Sequence, residues 1–234
     1  MSEEQEAKLL VEFEELVATD QLPREGEGFM DRVSQMVDGF LGSGRFTVAE
    51  DPFRGRDREL AESSHLFYVM FWRMFDQTPA ALMQDFAIKL RRILAAKVFR
   101  SVGVDPVFHH KVLFSSGRNI SIGNGVFVNR YVMLDDRAPI EIGDHTMIAA
   151  GVIIETHRHV IDDFSQPMPL GGRTTEPVKI GSNCLIGYNA VITAGTTIGD
   201  RAVVASNAVV THDVGDRQAV GGVPARLIKV IEPR

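Results

Sequence analysis

From Ile122 to Val214 an aliphatic residue returns every six positions: Ile122, Val128, Leu134; Ile142, Ile148, Ile154; then Ile180, Ile186, Ile192, Ile198, Val204 and Val210. A short fixed period of this kind is the mark of a solenoid, in which each repeat buries its apolar side only against its neighbours. The fourth residue after each anchor is restricted too. It is Val126, Val132, Ala138, Thr146 and Val152, then Cys184, Ala190, Thr196, Ala202, Ala208 and Val214. These positions are expected to point inward beside the anchors. Only one anchor, Ile154, is followed there by a large charged residue, Arg158, with His157 and His159 on either side.

The residue after an anchor is often small, as at Gly123, Gly143, Ala149, Gly181, Gly187, Gly199 and Ala205. A tight corner tolerating positive φ would suit it. Strands of two or three residues joined by such corners stack only as coils of a β-helix. The repeat slips twice. Leu134 and Ile142 lie eight residues apart, which predicts a two-residue bulge. Ile154 and Ile180 lie twenty-six apart, which predicts an extruded loop over about 160–177. Solenoids carry such insertions on a binding face.

The first half reads as helical. Leu9, Leu10, Phe13, Leu16 and Val17 keep helical spacing, as do Phe29, Met30, Val33, Met36, Val37, Phe40 and Leu41. A third helix is expected from Asp57 to Phe75. Thr78-Pro79 is expected to open a fourth, with Leu82, Phe86, Leu90, Ile93 and Leu94 on its apolar side, ending before Gly103. The aromatic run Phe67, Tyr68, Phe71, Trp72 and Phe75 is read as helix core or subunit contact rather than a cofactor box. The expected organisation is an N-terminal helical segment at 1–50, a second helical segment at 51–103, and the β-helix at 104–234.

Charge and composition narrow the classes of partner. The formal charge is −6, and residues 1–31 carry ten acidic against two basic side chains, which argues against nucleic acid as a partner. The longest apolar run, Leu66 to Trp72, is far below a membrane span, and the acidic N-terminus lacks the character of a secretion signal. A cytoplasmic protein without membrane contact is expected. The single cysteine, Cys184, excludes an internal disulfide, and its inward position makes it a small core residue.

The break in the repeat is where chemistry is expected. A guanidinium in an inward slot without a partner is too costly, so the backbone must leave the coil near Arg158. His157 should then point outward at a corner, with His159 at the root of the loop. Neutral imidazole suits a general base near pH 7, and either histidine fits that role.

The pattern resembles the hexapeptide-repeat acyltransferases, and within them the galactoside and maltose O-acetyltransferases. The segments that carry the likeness are Ser101-Val102-Gly103, Gly117 to Gly123, Met147 to His159 and Pro177 to Gly181. Val209 to Asp213 and Gly221-Gly222-Val223-Pro224-Ala225-Arg226 complete it, and Asp57 to Thr78 resembles the helical segment before the family's β-helix. The likeness spans roughly residues 51–231.

The resemblance implies a left-handed β-helix, acetyl-CoA as acyl donor, no metal, a saccharide or other small-molecule acceptor, and a homotrimer with sites between subunits. It places the catalytic base on His159, and Asn129 and Asp136 on the acceptor side. Thr211, Arg226 and Lys229, with Ser206 beside them, fall on coenzyme A contacts; Arg and Lys suit phosphate. Three positions depart from the family: His212 replaces lysine, Leu185 tryptophan, and Tyr188 a small residue. Other readings of the chain are a serine or antibiotic acetyltransferase, or a non-catalytic β-helix scaffold. A γ-type carbonic anhydrase would need three histidines on zinc, for which His145, His157 and His159 are the candidates.

Overall fold

The computed structural model describes residues 64–162, 165, 167 and 171–233, together with Glu4, Ala7, Leu10, Val11 and Glu14, which are helical. The second expected helix, the start of the third and most of the first lie outside the described residues. The chain divides into two compact units, residues 1–98 and 99–234. No helix among the described residues is long and apolar enough to cross a membrane.

In the first unit, α1 (Ser64–Phe75) and α2 (Gln84–Val98) pack on one another. Tyr68, Phe71, Trp72 and Phe75 are buried, so the aromatic run is core. Thr78-Pro79 does not open α2. Pro79–Leu82 is a separate 3-10 turn closed by an extended Met83, and Leu82 is 67% exposed. The Thr78 hydroxyl donates to Phe75 O at 2.7 Å, so it closes the preceding helix instead of capping the next. A buried ion pair joins the turn to α2. Arg91 Nε donates to Asp76 Oδ1 at 3.0 Å, and Arg91 Nη2 donates to Ala81 O at 3.1 Å.

The second unit is a parallel β-helix with three faces. Face A stacks β1 (Ser101–Val102), β4 (Ile120–Ile122), β7 (Ile140–Ile142), β12 (Val178–Ile180) and β15 (Thr197–Ile198). Face B stacks β2 (Val107–Phe108), β5 (Phe127–Val128), β8 (Met147–Ile148), β13 (Leu185–Ile186), β16 (Val203–Val204) and β18 (Gln218–Gly221). The antiparallel β19 (Arg226–Val230) closes its edge. Face C stacks β3 (Leu113–Phe114), β6 (Met133–Asp135), β9 (Ile153–Glu155), β14 (Val191–Ile192) and β17 (Val209–Val210).

The anchors stack in register, Ile122 on Ile142, Ile142 on Ile180 and Ile180 on Ile198, and all twelve are buried. The repeat begins one coil earlier than aliphatic spacing suggests. Val102, Phe108 and Phe114 occupy anchor slots below Ile122, Val128 and Leu134, with phenylalanine in two of the three. Apart from the displaced Arg158, the fourth-position residues Val126 to Val214 are inward and buried, Cys184 among them.

The corners correct one expectation. Positive φ falls three residues after the anchor, at Asp105, Lys111, Tyr131, His145, Asn183, Asn189, Arg201 and Asn207, and at Gly117, Gly125, Gly151 and Gly195; Arg217 repeats it three residues after Val214, which bridges to Ile198 on face A. Glycine one residue after the anchor serves closeness between coils. A Cβ on Gly181 would stand 2.4 Å from Asp200 Oδ1 and 2.8 Å from Asp200 N. The next residue extends this stacking into a ladder. Asn124 Oδ1 accepts from Val104 N, Asp144 Oδ1 from Asn124 N, Asp200 Oδ1 from Ser182 N, and Asp216 Oδ1 from Asp200 N, all at 2.7–2.8 Å. The recurring Ile-Gly-Asx is therefore a coil-to-coil fastener.

Every insertion lies on one edge. The steps from Phe114 to Ile122, Leu134 to Ile142 and Ile154 to Ile180 all leave face C and enter face A. The outward strand residues differ by face. They are Ser101, Ser121, Glu141, Lys179 and Thr197 on face A. On face B they include Phe127, Met147 and Leu185, and on face C Leu113, Met133, Ile153 and Val191. One outer face is polar and two are apolar.

Candidate active site

The long insertion leaves the C-to-A edge as an antiparallel ribbon, not as a simple loop. β10 (His157–His159) pairs with β11 (Arg173–Thr175), placing His157 opposite Thr175, Arg158 opposite Thr174 and His159 opposite Arg173. The coil is left one residue after β9. Thr156 is buried there, donating its hydroxyl to Asp135 O and accepting from Ala138 N at 2.9 Å. Arg158 sits outside the core, as its charge requires. Its Nη2 donates to Ala194 O at 2.5 Å and pairs with Glu176 Oε2 at 3.2 Å.

His157 and His159 share one face of the ribbon because strand side chains alternate. Their ring centroids lie 5.6 Å apart, edge to face. His159 is exposed. His157 does not point freely outward: its side chain is only 20% exposed, and its Nδ1 donates to Asp135 Oδ2. Asp135 is buried at the end of β6, one coil below. Its other oxygen accepts from Arg137 Nε and Ser115 Oγ, both at 3.1 Å. An imidazole held this way carries its proton on Nδ1 and presents Nε2 outward. No local sequence pattern signals this partnership, which joins residues 22 positions apart.

Asp136 turns the other way. Its Oδ1 accepts from Ser115 N at 2.8 Å and Ser116 N at 2.9 Å, and its Oδ2 from Ser116 Oγ at 3.0 Å. The carboxylate is buried and pins the turn Ser115–Asn119, whose Asn119 Nδ2 donates back to Asp136 O at 2.9 Å. Asn129 is on another edge, at the corner from face B to face C, where its Oδ1 accepts from Arg130 N at 2.8 Å. One chain therefore does not bring Asn129 beside Asp136 and His159.

The positions expected to contact coenzyme A are all exposed. Arg226 and Lys229 sit on β19 at the C-terminal edge of face B, opposite Gly221 and Ala219. Ser206 lies at the B-to-C corner. Thr211 follows β17 at the C-to-A edge, its Oγ1 2.9 Å from His212 Nδ1. Neither Arg226 nor Lys229 forms an ion pair among the described residues, so both charges face solvent, as phosphate ligands would need.

Two other candidates can be placed. Burial pushes the Cys184 thiol up from its ordinary value, and its Sγ donates to Gly199 O at 3.0 Å, which leaves no nucleophile there. His145 lies at the A-to-B corner, away from His157 and His159, and no cluster of metal-binding side chains occurs among the described residues. A shallow groove of about 580 Å³ runs along face A past Ser121, Glu141, Lys179 and Thr197, but it holds none of the histidines.

A family profile described as the hexapeptide repeat of succinyl-transferase matches residues 177–212. The galactoside O-acetyltransferase of Escherichia coli (strain K12) is 32% identical over 147 residues, covering 63% of this chain and 71% of that protein. A maltose O-acetyltransferase from Clostridium difficile 630 superposes with a TM-score of 0.64 at 35% identity, covering 72% of this chain and 87% of its own. A hexapeptide-repeat acetyltransferase from Vibrio cholerae O1 biovar eltor, solved with acetyl coenzyme A, gives 0.65 at 27% identity, covering 84% and 98%.

Proposed function

Since the chain belongs to the hexapeptide-repeat acetyltransferases and its coils form their left-handed β-helix, we propose that it carries acetyl from acetyl coenzyme A to a hydroxyl of a sugar or similar polyol. The observation that carries this reading is the exposed His159 on a ribbon rooted where the coils open. His159 takes the proton of the acceptor hydroxyl as its oxygen attacks the thioester carbonyl. A C–O bond forms, the C–S bond breaks, and the proton passes to the departing thiolate. Arg226 and Lys229 hold the donor's phosphates, with Thr211 and Ser206 along its path. Asn129 and Asp136 serve the acceptor side, Asp136 through the turn it pins.

The working unit is a trimer. The apolar outer faces B and C would meet their counterparts on neighbouring subunits and leave the polar face A to solvent, a closed heterologous contact. Asn129 and His159, on different edges of one chain, are then supplied to a site by different subunits.

His157 is the second reading for the base, favoured by the bond that fixes its tautomer on Asp135. The experiment is thiol release from acetyl-CoA over a panel of sugars, for wild type, His159→Ala and His157→Ala. Release that depends on a sugar and vanishes only in His159→Ala is the expected result. Undiminished release in His159→Ala removes it as base, and no binding of coenzyme A at all would return the chain to a scaffold.

A further inference from the structure

Three arginines surround the histidine ribbon, and they are not equivalent. Arg137 donates to Asp135, and Arg158 pairs with Glu176 on the ribbon's other face. Arg173 is exposed and forms no ion pair among the described residues. The register sets it directly across from His159.

The hydrogen-bond pattern makes this opposition close. Val160 N donates to Gly172 O at 2.9 Å and Glu176 N donates to Thr156 O at 3.0 Å. In an antiparallel ribbon bonded and non-bonded pairs alternate, so His159–Arg173 and His157–Thr175 are non-bonded pairs. Side chains in such pairs approach most closely, with Cβ atoms roughly 4.5–5.5 Å apart. One ribbon face thus presents a base and an unneutralised guanidinium side by side, in a chain whose overall charge is −6.

We propose that Arg173 reads an anionic group, a carboxylate or a phosphate, on the hydroxyl acceptor and so directs the adjacent hydroxyl to His159. The inference rests on the acetyltransferase reading and narrows its acceptor class. A guanidinium offers a planar pair of N–H donors that matches both oxyanions in charge-assisted hydrogen bonds, whereas a neutral sugar offers that fork only uncharged hydroxyl oxygens. Arg173 does not serve the donor in this arrangement, because the donor's phosphates belong to Arg226 and Lys229 at the far end of face B.

The test is calorimetric binding of glucose, glucuronate and glucose 6-phosphate to full-length protein saturated with coenzyme A, which requires no turnover. Wild type should bind one or both anionic sugars more tightly than glucose by roughly ten- to a hundredfold, the range of a charged hydrogen-bonded pair. Arg173→Gln should erase that preference while leaving glucose and coenzyme A binding unchanged, and Arg173→Lys should restore part of it. Which anionic sugar wins separates carboxylate from phosphate. Equal binding of all three sugars, or a preference that survives Arg173→Gln, overturns the proposal. Weakened coenzyme A binding in Arg173→Gln overturns it too, by moving the residue to the donor. Failure of the base reading is seen separately, as turnover that persists in His159→Ala.

Discussion

His157 donates its Nδ1–H to Asp135, a carboxylate buried one coil below and held on its other oxygen by Arg137 and Ser115. The bond ties the start of the extruded ribbon to the body of the β-helix. It distinguishes two histidines only two positions apart: His157 is anchored to the coils, and His159 is exposed.

Three substitutions resolve these roles. His159→Ala should lower kcat by roughly 10²–10⁴, the usual worth of a positioned base. His157→Ala should lower it by less than about tenfold, since loss of an anchor misplaces the base without removing it. Asp135→Asn should resemble His157→Ala in rate and also cost about 1.5–3 kcal/mol in urea denaturation, as a charged acceptor is lost. Initial rates and unfolding midpoints measure all three, and a reversed order of the histidines would make His157 the base.

Asp136→Ala should unfold more easily than wild type by about 1–3 kcal/mol, because Ser115 N and Ser116 N lose their acceptor. Asp136→Asn keeps one acceptor oxygen and should lose less. Chemical denaturation reads the difference. An acceptor KM that rises with no loss of stability would mean that the carboxylate contacts substrate directly.

Gly181→Ala should destabilise the β-helix by about 1–3 kcal/mol, because its methyl meets the backbone of Asp200. Asn183→Gly, at a φ of 58°, should change stability by less than about 1 kcal/mol, since the left-handed corner suits glycine. Thermal melts of the two variants test whether close stacking, and not φ, selects glycine after the anchor.

Asp144 gives the stability a pH signature. Hydrogen bonds from the Asn124 backbone and side chain hold its carboxyl below the ordinary 3.8. A depressed folded-state value means that its contribution is complete above the unfolded value and fades as pH falls through the folded one. Asp144→Asn keeps the acceptor oxygen but cannot titrate. The melting temperature of wild type minus that of Asp144→Asn should therefore be constant at neutral pH and fall in acid. A difference that does not change with pH would show that the ladder needs no charge.

What the sequence determined was whatever depends on period. Six-residue spacing specified the β-helix, the inward anchors, the small inward partners and Cys184 as core. The out-of-place Arg158 marked where the chain must leave the coil, because a guanidinium cannot take an inward slot unpaired. Only the stacked coils decided the rest. Phase alone does not say that every insertion falls on the C-to-A edge, since that depends on which face each anchor joins. Gly181 is selected by a backbone one coil away, and Thr78 by the carbonyl of Phe75 before it. The Asp135–His157 bond joins residues 22 positions apart, and the ribbon register sets Arg173 against His159. These are contacts between coils and between strands. Hexad periodicity fixes which way a side chain points within its own coil, whereas the neighbour it meets is set by stacking and by the length of the insertion between them.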